Sequence, residues 1–248
     1  MNNEYTHISV VLDNSGSMES IKKEVITSFN AFIRKQKEVP GRATFSLYNF
    51  RNPGSWSMFN NNAHPFLGSS PILHNSKVNI MYRFTDLQST PELNDENYIC
   101  ETMTPLLDTI GVGIVDTGDG LRVLPEALRP KKVIFVIITD GQENDSVEHN
   151  LSKIKEMITH QTDIYKWEFV FLAANQDAIA VGSTYGIGAG SSMNFVASAA
   201  GTIGSTAALS EYVSRSRSSG VGVATSFTPA ERDMSMGGGF KSSGGSTN

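Results

Sequence analysis

The segment Ile8-Ser9-Val10-Val11-Leu12-Asp13-Asn14-Ser15-Gly16-Ser17-Met18 joins an apolar run to one carboxylate and to two hydroxyls that flank a glycine. The run 8–12 is short and rich in β-branched residues, so it predicts a strand buried on both faces. Asp13 then stands at the carboxyl end of that strand. Gly16 permits a tight turn, and Ser15 and Ser17 present hydroxyl oxygens on it. Hard oxygens crowded on a tight loop suit Mg²⁺ or Mn²⁺, which take oxygen ligands in octahedral geometry and keep several waters.

Beyond this loop, Ile21, Val25, Phe29, Phe32 and Ile33 recur at helical spacing, with Lys22, Lys23, Arg34 and Lys35 filling other positions. They predict an amphipathic helix that stops near Val39-Pro40-Gly41. Residues 43–50 predict the next strand. Residues 51–76 carry several prolines and glycines and the run Asn60-Asn61-Asn62. Irregular structure with a short hairpin, pinned by Trp56, Phe59 and Phe66, is expected there. Residues 77–84 alternate and predict a strand with one wetter face. The polar stretch 85–101 predicts a loop.

Thr104-Pro105-Leu106-Leu107 predicts a helix start with Thr104 as N-cap. That helix is expected to reach about residue 128, with a break at Gly118-Asp119-Gly120. Residues 133–138 are the most apolar run and predict a central parallel strand ending in Thr139-Asp140-Gly141. Asp145-Ser146-Val147-Glu148 resembles a capping box ahead of a helix with Val147, Leu151, Ile154, Met157 and Ile158 on one face. A strand at 168–174, a short helix at 177–185, a strand at 192–196 and a helix at 202–217 complete the pattern.

Strands alternating with helices predict an α/β fold: a doubly wound, mostly parallel central sheet flanked by helices, with one antiparallel edge strand. Ligands of such sheets bind beyond the carboxyl ends of the strands. Asp13 and Asp140, both at such ends, are therefore expected on one rim. The domain is expected over 1–217. The Gly/Ser-rich residues 218–248 are expected to form a flexible tail, apart from a short helix at 228–234 announced by Thr228-Pro229-Ala230-Glu231.

Three pieces of sequence stand in order: Asp13/Ser15/Ser17 in the pattern D-x-S-x-S, Thr104 in Met103-Thr104-Pro105-Leu106, and Asp140 in Ile138-Thr139-Asp140-Gly141. Over residues 5–197 the chain resembles the von Willebrand factor type A domains, whose metal-ion-dependent adhesion site is built from these pieces. The stretch Ala174-Asn175-Gln176-Asp177 and the Thr-Pro-Leu-Leu-Asp element look like those of stand-alone bacterial and phage members. The resemblance implies a bound Mg²⁺ or Mn²⁺, with Ser15, Ser17 and Thr104 as direct ligands. Asp13 and Asp140 would act through waters or directly. It also implies an open coordination position that a partner protein fills with an Asp or Glu. The insertion at 51–76 departs from the family and is the candidate specificity surface.

Plainer roles compete for single residues. Ser17 and Thr104 fit ordinary N-caps. Asp108, Asp116, Asp119, Glu143 and Asp145 are expected to be solvated or capping. The histidines His7, His64, His74, His149 and His160 show no metal-ligand spacing.

Composition narrows the function classes. The 248 residues are 39% apolar with net charge −5 and pI about 5.5, which argues against nucleic-acid binding through phosphates. No run approaches the roughly 20 apolar residues of a membrane span, and the start has no leader-like pattern. Cys100 is the only cysteine, so no internal disulfide forms, and a cytosolic setting is expected. Neither a G-x-S-x-G elbow nor a Walker A motif is present, so no catalytic residue is assigned. The expected function is a metal-dependent protein-binding module. A structural subunit of a multi-chain assembly and a metal-dependent hydrolase are the alternatives. Oligomeric state and partner identity are not legible in the residues.

Overall fold

The computed structural model describes residues 2–50, 77–101 and 103–238. The insertion at 51–76, with its expected hairpin and specificity surface, lies outside the described residues, as do Thr102 and 239–248. Among the described residues six strands form one sheet: β1 (Asn2–Leu12), β2 (Ala43–Phe50), β3 (Val78–Asp86), β4 (Pro130–Thr139), β5 (Glu168–Ala174) and β6 (Ser192–Phe195), in the order β3-β2-β1-β4-β5-β6. Only β3 runs antiparallel to its neighbour; every other pairing is parallel. This is the doubly wound, mostly parallel sheet with one antiparallel edge that the sequence predicts.

The two central strands explain why. Successive side chains of a strand point to opposite faces. In β1, Ile8, Val10 and Leu12 enter one core while Val11 enters the other. In β4, Ile134, Val136 and Ile138 separate in the same way from Val133, Phe135 and Ile137. A strand covered on both sides must be apolar at nearly every position, which is why both runs lack polar alternation. One face is covered by α1 (Lys22–Glu38) and α5 (Ala199–Ser218), the other by α2 (Leu106–Arg122), α3 (Leu151–Tyr165) and α4 (Ala178–Thr184). A final short helix, α6 (Pro229–Ser235), lies against β6 and α5.

Several boundaries differ from expectation. Helix α2 does not break at Gly118–Gly120 but runs on to Arg122. Gly120 serves close approach instead: a Cβ there would come within 2.3 Å of the Phe84 ring. Helix α3 begins at Leu151, with the Asn150 side chain accepting from the Lys153 amide at 2.9 Å. The expected capping box at 145–148 does not form. The amides of Val147, Glu148 and His149 donate to the Asp108 carboxylate, which holds them out of the helix.

The tail also differs. Helix α5 reaches Ser218, and the following residues fold back as far as they are described. Phe227 is buried against Tyr212, with ring centroids 4.6 Å apart. Helix α6 carries the expected capping box between Thr228 and Glu231, and Glu231 pairs with Arg215. Among the described residues, no helix is long and apolar enough to cross a membrane.

Candidate metal centre

The register of the sheet brings the predicted residues together. Leu12 of β1 pairs with Ile138 of β4, and the Asp13 amide donates to the Ile138 carbonyl at 2.9 Å. The two carboxylates that follow these strands therefore leave the sheet side by side. Ser15 begins a 3-10 turn over Gly16–Ile21 without capping it through its side chain. The Ser15 amide instead donates to Asp13 Oδ1 at 2.7 Å. Ser17 Oγ donates to Asp140 Oδ1 at 2.6 Å and lies 3.0 Å from Ser15 Oγ. With the Ser17 proton given to Asp140, Ser15 donates to Ser17, and both oxygens keep lone pairs for a cation.

Thr104 completes the group through a division of labour. It is not the N-cap of α2; Pro105 stands in that position. The first amides of the helix are satisfied from a distant loop. The Leu107 amide donates to Glu143 Oε2 at 2.7 Å and the Asp108 amide to Ser146 Oγ at 3.0 Å. The Thr104 hydroxyl is thereby relieved of capping. Thr104 is held through its backbone, its amide donating to Asn144 Oδ1 and its carbonyl accepting from the Asn144 amide. Sequence reasoning expected Glu143 to cap or be solvated, and it caps.

Gly141 shows how the oxygens converge. A Cβ placed on it would lie 3.5 Å from Thr104 Oγ1, 3.6 Å from Ser17 Oγ and 3.9 Å from Asp13 Oδ2. Three oxygens from two separate segments, the 13–17 loop and the stretch at Thr104, thus face one small space beside Gly141 that holds no side chain. All five candidate donors are oxygens, which suits a hard dication. Among the described residues no group of three or more His, Cys, Asp or Glu is placed to hold a metal. A metal here would rely on hydroxyls as much as on carboxylates. Asp13, Ser15, Thr104 and Asp140 are buried, while Ser17 and Gly16 are exposed, so the cluster opens to solvent on the serine side.

Electrostatics follows from this burial. Desolvation pushes the Asp13 carboxyl above its ordinary range, although hydrogen bonds from Ser15 and Thr139 oppose the rise. Asp140 is raised by burial and further by the neighbouring Asp13 charge. Two buried carboxylates that repel each other form a site that a dication would relieve.

A supporting shell to which sequence reasoning assigned no role surrounds these residues. Thr139 Oγ1 donates to Asp13 Oδ2 at 2.5 Å and accepts from the Gly141 amide. Tyr98, fully buried, donates its hydroxyl proton to the Asp13 carbonyl at 2.5 Å. Asn14 reaches the Phe50 and Ile99 carbonyls and accepts from the Phe50 amide, tying the loop to β2 and to the strand-free stretch before Thr104. On the other side Asn175, in a left-handed backbone conformation that asparagine tolerates, donates to the Asp140 carbonyl, and Gln176 donates to that of Gly141. Thr139 sits beside Asp140, and Asn175-Gln176 follows a strand end. These adjacencies are the local signals that point to them. Tyr98 and Asn144 offer none.

Two other acidic residues depart from expectation or refine it. Asp116 is neither solvated nor capping: it is buried and accepts from Arg83 Nε at 2.7 Å and from the Tyr48 hydroxyl at 2.9 Å. Asp108, also buried, caps the three amides of 147–149 across the gap between α2 and α3.

No family model matches this sequence, and no curated protein matches it. Solved structures do resemble it. Proximal thread matrix protein 1 from the mussel byssus is 11% identical with a TM-score of 0.50, over 86% of this chain and 46% of that one. A second crystal form of the same protein gives 10% and 0.49, over 85% and 46%. A von Willebrand factor type A protein from Catenulispora acidiphila gives 10% and 0.46, over 84% and 42%. The chain spans less than half the length of each. At such identity, what the mussel protein shares with this chain is the α/β fold.

Proposed function

We propose that this chain is a type A domain of the stand-alone kind that binds a divalent cation and, through it, an acidic residue of a partner protein. Asp13, Ser15, Ser17, Thr104 and Asp140 would hold Mg²⁺ or Mn²⁺. The observation that carries the reading is the convergence of Thr104, Ser17 and Asp13 oxygens on the space at Gly141, with Asp140 bonded to Ser17. When bound, the cation supplies a Lewis-acidic position for an anionic oxygen. The hydroxyl donors leave it electron-poor, so it still favours a carboxylate. The chain's own residues orient the donors: Thr139 and the Ser15 amide fix Asp13, and Glu143 and Ser146 free Thr104. The activity is binding, and no group here is assigned to bond breaking.

Calorimetric titration of Mg²⁺ and Mn²⁺ into the wild type and into Asp13→Ala/Ser15→Ala tests this. Saturable binding is expected in the wild type, with affinity reduced at least about tenfold in the variant, a loss of roughly 1.4 kcal/mol or more. Partner capture with and without EDTA is the second step. Capture that survives EDTA points to a scaffold role. Mn²⁺-dependent phosphoester turnover abolished by Asp13→Ala points to a hydrolase.

A further inference from the structure

The end of the sheet opposite the rim oxygens holds a cavity of about 340 Å³. It lies at the amino ends of β4 and β5, against the last turn of α3 and the turn at 222–225. Its volume falls within the range of small-molecule sites and is about twice the roughly 150 Å³ of a core cavity that takes up benzene. Trp167, Phe169 and Ile187, all buried, form its inner lining, and the exposed Ala224 stands at its outer side.

Four charged residues line the same cavity: Lys132 and Lys166, Asp163 and Glu168. Two positive charges balance two negative ones, so a charged guest would add a charge without a counterpart. The donors nearby are already committed. Lys132 Nζ donates to the Ser216 carbonyl, to Ser216 Oγ at 3.2 Å and to Ser219 Oγ at 2.8 Å. Ser216 Oγ in turn donates to Glu168 Oε2. Tyr212 lies near enough for the Glu168 charge to act on its hydroxyl, but that hydroxyl gives its proton to the Thr225 carbonyl at 3.1 Å. Lys166 Nζ turns to the Asp163 carbonyl. One acceptor is left over. Glu168 Oε1 is shielded from solvent, and among the described residues nothing donates to it. A buried acceptor without a donor is costly, so the cavity favours a guest that brings an N–H or O–H.

We propose that this cavity binds a small neutral molecule with an apolar body of one or two rings and one N–H or O–H group, which donates to Glu168 Oε1. The apolar body would lie along Trp167, Phe169 and Ile187 and leave water. None of the five candidate metal donors lines the cavity, so the site stands apart from the reading of the rim.

Indole is the probe, because its nitrogen donates and does not accept. Benzofuran has the same shape with an oxygen in that place. Each is titrated by calorimetry into the full chain, and amide shifts at 167–169 and 187–188 are read alongside. The wild type should bind indole saturably, at least tenfold tighter than benzofuran, with shifts at those amides. In Glu168→Gln the side-chain carbonyl takes the Ser216 hydrogen bond and the NH₂ stands where Oε1 stood, so the preference for indole should vanish or reverse. Ala224→Trp changes an exposed position and fills the cavity from its outer side; it should weaken indole binding at least tenfold. Should Glu168→Gln fail to fold, the ratio of the two probes in the wild type and the Ala224→Trp result still decide. Equal affinity for the two probes, or a preference that Glu168→Gln leaves unchanged, overturns the bond to Glu168. Binding that Ala224→Trp leaves unchanged places indole elsewhere and overturns the site. No saturable binding of either probe means that water alone fills the cavity, and overturns the proposal as a whole.

Discussion

His7 shows how far one buried side chain can govern stability. It is fully buried on β1, stacked on Phe84 at 4.1 Å, with one ring nitrogen against Thr44 and the other against Ser9. Ser9 continues to Thr117 of α2, and Thr44 to Tyr5, so the imidazole sits inside a chain of hydroxyls. Burial lowers its pKa to about 3. The unfolded chain takes up this proton near pH 6.5, whereas the folded chain resists until about pH 3. Stability from this group is therefore complete above pH 6.5 and falls as pH drops, by about 3 kcal/mol on reaching pH 4. Urea unfolding of the wild type and of His7→Gln at both pH values should show the extra slope in the wild type alone. Thr139 offers a second test at this scale. Thr139→Val removes the hydrogen bond to Asp13 without touching an assigned ligand. Metal affinity should fall by about 10–100-fold, the range for partners that orient ligands, and calorimetry reads it directly. An unchanged affinity would assign Thr139 to the fold alone.

At the scale of elements, the junction between α2 and α3 carries the most consequence. Asp108 accepts from three successive amides, and Glu143 and Ser146 return the favour by capping α2. This reciprocal clamp is what delivers Thr104 to the rim. Asp108→Ala removes the buried acceptor of three amides whose own residues are exposed or intermediate, at a cost of about 1–3 kcal/mol. It should also weaken the proposed metal site. Asn150→Ala removes only a cap, about 1 kcal/mol, and should leave metal binding as it was. Denaturation midpoints and calorimetry on both variants separate the two effects.

For the whole molecule, two cores share one sheet, and the rim oxygens lie where β1 and β4 end between them. Any cation that binds only the folded chain stabilises all of it. At a hundredfold excess over its dissociation constant the gain is about 2.7 kcal/mol. For a chain of this size that raises Tm by about 5–10 °C. Differential scanning calorimetry should show this rise with Mg²⁺ in the wild type, its loss with EDTA, and no rise in Asp13→Ala.

The residues alone determine the sheet class, the order of elements and the placing of Asp13 and Asp140 at the ends of two buried strands, while the full set of five oxygens is what the family resemblance implies. Each rests on a local signal: the apolar runs of β1 and β4 report burial on both faces, and Asp13 and Asp140 follow those runs directly. The start of α3, the release of Thr104 from capping, the pairing of Asp116 with Arg83 and the docking of α6 on β6 were decided only by tertiary structure. In each case the deciding hydrogen bond joins residues dozens of positions apart, or, for α6, fits a small helix into a notch left by a single glycine. Periodicity and caps describe what neighbours along the chain can do for one another. A carboxylate such as Asp108, which withholds three amides from a helix that would otherwise begin there, acts across space and leaves no local trace.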